Sequence, residues 1–119
     1  MKKYFGVLLL AIIGIGSGCD KESEKPTYDC TTVSPTYTNQ VKTILDSECA
    51  TAGCHNAVSK KAGLDYSTYE EAKEGAMDNN FFGSIHHLDG YDAMPEDAPK
   101  LSDTQLQLLT CWVESGTPE

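Results

Sequence analysis

The sequence predicts a small helical domain with three helices. Three segments each begin with a helix-capping serine, at Ser34, Ser67 and Ser102, and apolar residues follow each serine at helical spacing. One stretch, from Leu64 to Tyr66, has the character of a short extended piece. The chain of 119 residues has a suitable length for one small domain. No internal repeat, nucleotide-binding glycine loop or paired-carboxylate arrangement stands out.

The first helix is expected from about Pro35 to Ser47. Ser34 caps it, and proline is favoured at the first helical position because its missing N–H is not needed there. Four apolar residues recur at helical spacing and form one face of this helix: Tyr37, Val41, Ile44 and Leu45. This face is predicted to pack against the last helix.

The second helix is expected from Thr68 to about Met77, because Ser67 and Glu70 form a capping box. Met77, at the end of this helix, is predicted to fill the core. The dipeptide Asn79-Asn80 then predicts a break in the helix.

The last helix is expected to begin at another capping box, formed by Ser102 and Gln105. Gly116 and Pro118 mark its end, because glycine suits the backbone turn after a helix and proline cannot continue one. Three residues form its apolar stripe and two more lie beside that stripe: Leu106, Leu109 and Val113, with Leu108 and Trp112.

The amino terminus predicts export. Two lysines precede an apolar run over residues 4–15, and small residues follow. The run is shorter than the roughly 20 residues of a comfortable transmembrane helix. Ser17-Gly18-Cys19 resembles the lipobox of bacterial lipoproteins, whose cysteine is acylated and becomes the first mature residue. We therefore expect a signal peptide over residues 1–18 and lipidation of Cys19; an uncleaved anchor and an ordinary secretory cleavage are the alternatives.

Residues 19–33 are expected to form a polar, flexible tether, and residues 34–119 the folded domain. The chain from Cys19 onward keeps seven lysines and no arginine against 18 acidic residues, which gives a formal charge of −11. Such a surface repels nucleic acid and favours a partner protein with a basic docking face. The alternative is that the acidic residues serve only solubility.

The run Cys49-Ala50-Thr51-Ala52-Gly53-Cys54-His55 is the most informative part of the sequence. It is a variant, with four residues between the cysteines, of the C-x-x-C-H pattern at which haem c is attached. At such a site each thiol adds across one vinyl group of the haem, and the adjacent histidine becomes the proximal ligand of the iron. A disulfide between Cys49 and Cys54, or a zinc site that includes His55, are the alternatives.

Met94 is the expected distal iron ligand. It lies in a loop rich in Asp and Pro, where a methionine is a poor candidate for a core residue. Thioether sulfur is a common axial partner of a haem-bound histidine, and this pair raises the reduction potential. His86 and His87 are the alternative distal ligands. Phe81 and Phe82 are expected to help cover the porphyrin.

The remaining cysteines predict a disulfide. If Cys19 carries lipid and Cys49 and Cys54 hold haem, two of the five cysteines are left, Cys30 and Cys111. An exported chain lies in an oxidising compartment, so these two are expected to join the entry of the domain to its last helix.

The order of helix, C-x4-C-H, middle helix, Met-Pro loop and capped final helix resembles a small class I c-type cytochrome domain. The resemblance covers most of the chain after the tether. It implies an all-α fold around one covalently attached haem, with thioethers at Cys49 and Cys54 and with His55 and Met94 on the iron. It also implies that Trp112 packs on the first helix near the haem.

The resemblance implies single-electron transfer rather than catalysis. The protein would be an exported, lipid-anchored carrier on the periplasmic side of a membrane or at the cell surface, with redox proteins as partners. Two other functions remain open. One is a haem sensor or peroxidase-like protein in which Met94 is displaced. The other is a zinc- or disulfide-stabilised binding lipoprotein without a redox role.

Overall fold

The computed structural model describes residues 24–119, so the predicted signal peptide and the predicted lipidation of Cys19 lie outside the described residues. The described part is helical and contains no β-strand, which confirms the all-α prediction for this region. No helix within it has the length and apolar character that crossing a membrane requires. The α-helices are α1 (Lys42–Glu48), α2 (Tyr69–Ala76), α3 (Asn79–Ile85) and α4 (Asp103–Glu114).

The first helical segment begins as a π-helical turn (Tyr37–Val41) that continues directly into α1. It starts later than predicted, because Thr36 is the cap: its hydroxyl accepts a hydrogen bond from the Asn39 amide at 3.4 Å. The prediction of a cap at Ser34 was therefore wrong. The predicted apolar face is buried, and the rings of Tyr37 and Trp112 lie 6.3 Å apart. This contact packs the first helical segment against α4.

Helix α2 is capped by Thr68, whose hydroxyl accepts from the Glu71 amide at 3.4 Å. The predicted capping box at Ser67 was wrong, because the Ser67 amide donates instead to the carboxylate of Asp65 at 2.9 Å. Met77 was predicted to fill the core, but its side chain is 66% exposed. A methionine just past the end of a short helix extends beyond the face that packs.

Helix α3 was not predicted. Asn79-Asn80 separates it from α2, as expected, but the same two residues form its first turn, because Asp78 accepts from the Asn80 amide at 2.7 Å. At Gly83 an added Cβ would lie 2.3 Å from the ring of Tyr91. The segment that follows α3 therefore packs directly on the backbone of this helix.

The predicted boundaries of α4 are confirmed. The Ser102 hydroxyl accepts from the Gln105 amide at 3.3 Å, and the Gln105 side chain accepts from the Ser102 amide at 3.0 Å. After the helix, Gly116 adopts a φ of +89°, which favours glycine. Trp112 is fully buried, and its indole N–H donates to the carbonyl of Pro118 at 2.8 Å. The chain end is thus fixed to α4.

The segment before the first helix is attached to the domain. Cys30 and Cys111 form a disulfide with 5.4 Å between their Cα atoms. The Gln107 side chain donates to the carbonyl of Asp29 at 2.9 Å, and the ring of Tyr28 packs 5.6 Å from that of His86. The last residues of the predicted tether therefore lie against α3 and α4.

Replacing Cys30 by serine is expected to lower the free energy of unfolding by about 2–5 kcal/mol, because the disulfide closes a long loop in the unfolded chain. The sequence separation of the two cysteines is 81 residues. Urea unfolding of the wild type and the variant measures the change. The double variant Cys30→Ser/Cys111→Ser should show a similar loss, since both variants remove the same bond. A variant as stable as the wild type would contradict the prediction.

Candidate functional site

A cavity of about 850 Å³ lies between the end of α1, the loop that follows it, α3 and the segment before α4. This volume falls within the range of about 300–1,000 Å³ that is typical of ligand and cofactor pockets. Its wall is largely apolar where α3 meets the loop after α1 and the segment before α4. The larger apolar residues of this part of the wall are Leu64, Tyr66, Phe81, Ile85 and Leu101.

Four of the predicted site residues, Cys49, Cys54, His55 and Met94, line this one cavity. They come from two separate parts of the chain. Cys49 ends α1, since its amide donates to the carbonyl of Leu45 at 2.9 Å. The loop then folds back on itself, because the His55 amide donates to the carbonyl of Cys49 at 3.1 Å. This local folding places the two thiols and the imidazole on the same wall.

The imidazole of His55 is held in a defined orientation. Its Nδ1 lies 2.9 Å from the backbone carbonyl of Lys61, so Nδ1–H is the donor. The ring is 7% exposed and packs edge-on against Tyr66, with 5.5 Å between the centroids. The nitrogen left for a ligand is therefore Nε2. A backbone carbonyl on the other ring nitrogen is the arrangement typical of metal-bound histidines.

Cys49 and Cys54 are free thiols in the structure, so the disulfide alternative at these positions is not formed. Burial, and secondarily the charge of Glu48, raises the pKa of the Cys49 thiol to about 12. This cysteine is therefore a neutral thiol at pH 7. Within residues 24–119 no cluster of three or more His, Cys, Asp or Glu side chains is arranged to hold a metal ion.

Met94 reaches the cavity from the segment between α3 and α4. Its amide donates to the carbonyl of Ser84 at 3.0 Å, and its carbonyl lies 2.9 Å from Nε2 of His87. Two hydrogen bonds of the Met94 backbone, one to the Ser84 carbonyl and one to the His87 ring, therefore hold the methionine at the cavity wall.

His86 and His87, the alternative distal ligands, do not line the cavity. His86 is 3% exposed; its Nε2 lies 3.1 Å from the hydroxyl of Thr110, and its ring packs 4.1 Å from that of Phe82. Phe82 is likewise absent from the cavity wall, whereas Phe81 lines it. Trp112, which was expected near the haem, packs on the first helical segment but does not line the cavity.

The burial of His86 predicts a stability that falls in mild acid. Burial, followed by the charges of Lys100 and Lys25, lowers its pKa to about 4, whereas an unfolded histidine titrates near 6.5. Between these values the unfolded state binds the proton, so stability is full above pH 6.5 and falls toward pH 4. We expect the free energy of unfolding to drop by about 2 kcal/mol between pH 6.5 and 5.

Urea unfolding at pH 6.5 and pH 5 measures this drop. His86→Gln should remove most of it, and His87→Gln is the matched control that should keep it. The carboxyl groups of Asp29, Asp65 and Glu96 have lowered pKa values and titrate below this window. A His86→Gln protein with the same pH dependence as the wild type would contradict the assignment.

An ion pair links the two loops that carry the site. Lys61, whose carbonyl holds His55, pairs through its side chain with the carboxylate of Glu96, two residues after Met94. The hydrogen bond and charge of Lys61 lower the pKa of Glu96. Further charged residues of both signs line the cavity: Glu48, Asp78, Asp92 and Lys100.

The residues of the cavity fit a covalently attached haem. Two free thiols, an imidazole with a free Nε2 and a thioether come together at a partly apolar cavity of suitable volume. Sequence reasoning missed the residues that hold these ligands, namely Lys61, Ser84 and His87. The first two act through backbone carbonyls, which no residue pattern encodes.

Comparison of the chain with protein-family models, with curated proteins and with solved structures found no match. The functional interpretation therefore depends on the residues of the cavity and on their geometry.

Proposed function

We propose that this protein is a c-type cytochrome that carries single electrons through one covalently bound haem. The observation that carries the proposal is the meeting of Cys49, Cys54, His55 and Met94 at one cavity. The first three are neighbours in the sequence, but Met94 is far from them along the chain. Its presence at the same cavity supports a pair of axial ligands rather than a local cysteine motif.

The two thiols would attach the cofactor. The S–H group of each cysteine adds across one vinyl C=C bond, with sulfur bonding to one carbon and hydrogen to the other, so the step needs no oxidant or reductant. Both thiols are free in the structure, so neither is held in another bond before attachment. When bound, haem supplies a reversible one-electron couple between ferric and ferrous iron.

The other residues would tune that couple. His55 presents Nε2 because its Nδ1–H is held by Lys61, and this hydrogen bond raises the basicity of the ligand nitrogen. Met94, as a ligand of the iron, would raise the reduction potential relative to a second histidine. Leu64, Phe81 and their apolar neighbours line the cavity and would shield a bound haem from water. Exclusion of water from the iron limits the reorganisation that accompanies electron transfer.

The acidic surface and the amino terminus complete the proposal. The chain from Cys19 has a formal charge of −11, which favours a redox partner with a basic face. Lipidation of Cys19 would hold the carrier at a membrane on the exported side. The length of chain between Cys19 and Tyr28 would then limit how far the folded domain can lie from the membrane.

A redox titration of the purified protein, expressed with a c-type haem maturation system, tests the function. We expect a single reversible transition that fits one electron per chain. Addition of peroxide to the ferrous or ferric protein is the parallel arm, and we expect no sustained turnover. Peroxide turnover at rates typical of enzymes, about 1–10³ s⁻¹, would instead favour a peroxidase-like function. A colourless protein that shows no redox transition would favour a binding lipoprotein.

A further inference from the structure

We propose that His87 is a positioning residue for the distal ligand: its ring holds the Met94 carbonyl and so sets where the thioether sulfur lies in the cavity. This inference rests on the proposed function, in which Met94 binds the haem iron. It gives His87 a role different from that of an alternative iron ligand.

The segment that carries Met94 is held to the end of α3 through the backbone of the methionine itself. It connects α3 to α4 and has no regular secondary structure. The two hydrogen bonds of the Met94 backbone both come from the end of α3, at Ser84 and at His87. These bonds hold the amide and the carbonyl that flank the Met94 Cα atom. Together they fix the base of the methionine side chain.

The backbone of His87 supports a specific role for its side chain. His87 has a φ of +53°, in the left-handed region, and it directly follows His86, the C-cap residue of α3. Glycine is the usual residue at this position, because a side chain is strained in the left-handed conformation. The imidazole at this position makes a hydrogen bond to Met94 that glycine lacks.

The geometry also argues against His87 itself as the iron ligand. Its Nε2 is 2.9 Å from the Met94 carbonyl and donates a proton to it, so this nitrogen has no lone pair to offer. The ring does not line the cavity. His87 therefore acts on the iron site through the position of Met94.

Loss of the hydrogen bond between His87 and the Met94 carbonyl would weaken the methionine as a ligand. Residues that orient a metal ligand from outside the coordination sphere typically change metal affinity by about 10–100-fold when they are replaced. Here the amide of Met94 would remain bound to Ser84, while its carbonyl would be released. An added ligand such as imidazole would then compete more easily for the sixth position of the iron.

Two matched variants test the inference. His87→Gln places an amide N–H close to the position of Nε2, whereas His87→Asn suits the left-handed backbone but ends too short to reach. Imidazole is titrated into each ferric protein, and binding is followed by loss of the far-red band of methionine-ligated ferric haem. We expect His87→Asn to bind imidazole about 10–100-fold more tightly than the wild type, and His87→Gln to resemble the wild type.

Hydrogen exchange of the Met94 amide gives a second readout that does not depend on haem. We expect faster exchange in His87→Asn and wild-type exchange in His87→Gln. Equal imidazole affinity and equal exchange in all three proteins would overturn the role of His87. A colourless wild type that nevertheless shows the expected exchange pattern would refute the proposed function, but it would support the role of the His87 ring in holding the Met94 backbone.

Discussion

Replacing Cys49 and Cys54 together by serine is expected to abolish covalent attachment of haem. Both thiols line the cavity, and both are free. A hydroxyl group is a much poorer nucleophile toward a vinyl group than a thiol is, so no thioether analogue should form. The measurement is haem-dependent staining of the denatured protein after electrophoresis, which detects only covalently bound haem. The effect should be a complete loss of signal.

The matched control adds two hydroxyl groups to the same loop without removing a thiol. Ala52→Ser/Ala57→Ser changes two exposed positions between or just beyond the ligands. We expect this control to stain like the wild type. Haem staining that persists in the double cysteine variant would show that attachment does not depend on these thiols. Loss of staining in the control would show that the loop, rather than its thiols, limits attachment.

Replacing Met94 by alanine is expected to lower the reduction potential by on the order of 0.1 V, within the span of about 0.8 V that axial ligands cover in haem proteins. A thioether ligand would stabilise the ferrous state, and its removal would leave its position on the iron to water or another weak ligand. The far-red absorption band of methionine-ligated ferric haem should vanish. Potentiometric titration and the ferric absorption spectrum measure the two effects.

Met77→Ala is the control for this prediction, because the same residue type is removed from a side chain that is 66% exposed and lies outside the cavity wall. It should leave the potential and the band unchanged. A Met94→Ala protein with a wild-type spectrum, together with a changed spectrum in His86→Ala or His87→Gln, would contradict the assignment of Met94 as distal ligand.

Local signals in the sequence were enough to predict α4. Its capping box, its apolar stripe and the glycine that ends it all lie within the helix or next to it. The caps of the first and second helical segments were displaced, from Ser34 to Thr36 and from Ser67 to Thr68. Neighbouring Ser and Thr residues are nearly equivalent as caps, so local hydrogen bonds such as the one between Ser67 and Asp65 decide between them.

Helix α3 was missed because it is only seven residues long and begins with two asparagines, which usually indicate a turn. Packing determines its conformation, since Phe81 and Ile85 are buried and Gly83 lies against Tyr91.

The candidate site was accessible from sequence to the extent that its chemistry is local. Cys49, Cys54 and His55 lie in one short run of the sequence, so a local turn of the chain brings them together. Met94 was singled out because a methionine in a polar loop has no packing reason to be there. Its approach to the cavity depends on contacts with Ser84 and His87, across the end of α3, and no sequence spacing specifies them.

Mass spectrometry of one tryptic peptide tests the central proposal most directly. Trypsin cleavage after Lys42 and Lys60 releases residues 43–60, which contain Cys49, Cys54 and His55 and no other cysteine. From protein exported with a c-type haem maturation system, the peptide should carry the mass of one haem, with neither thiol open to alkylation. A peptide without that added mass, with both thiols reacting with an alkylating reagent, would contradict the account.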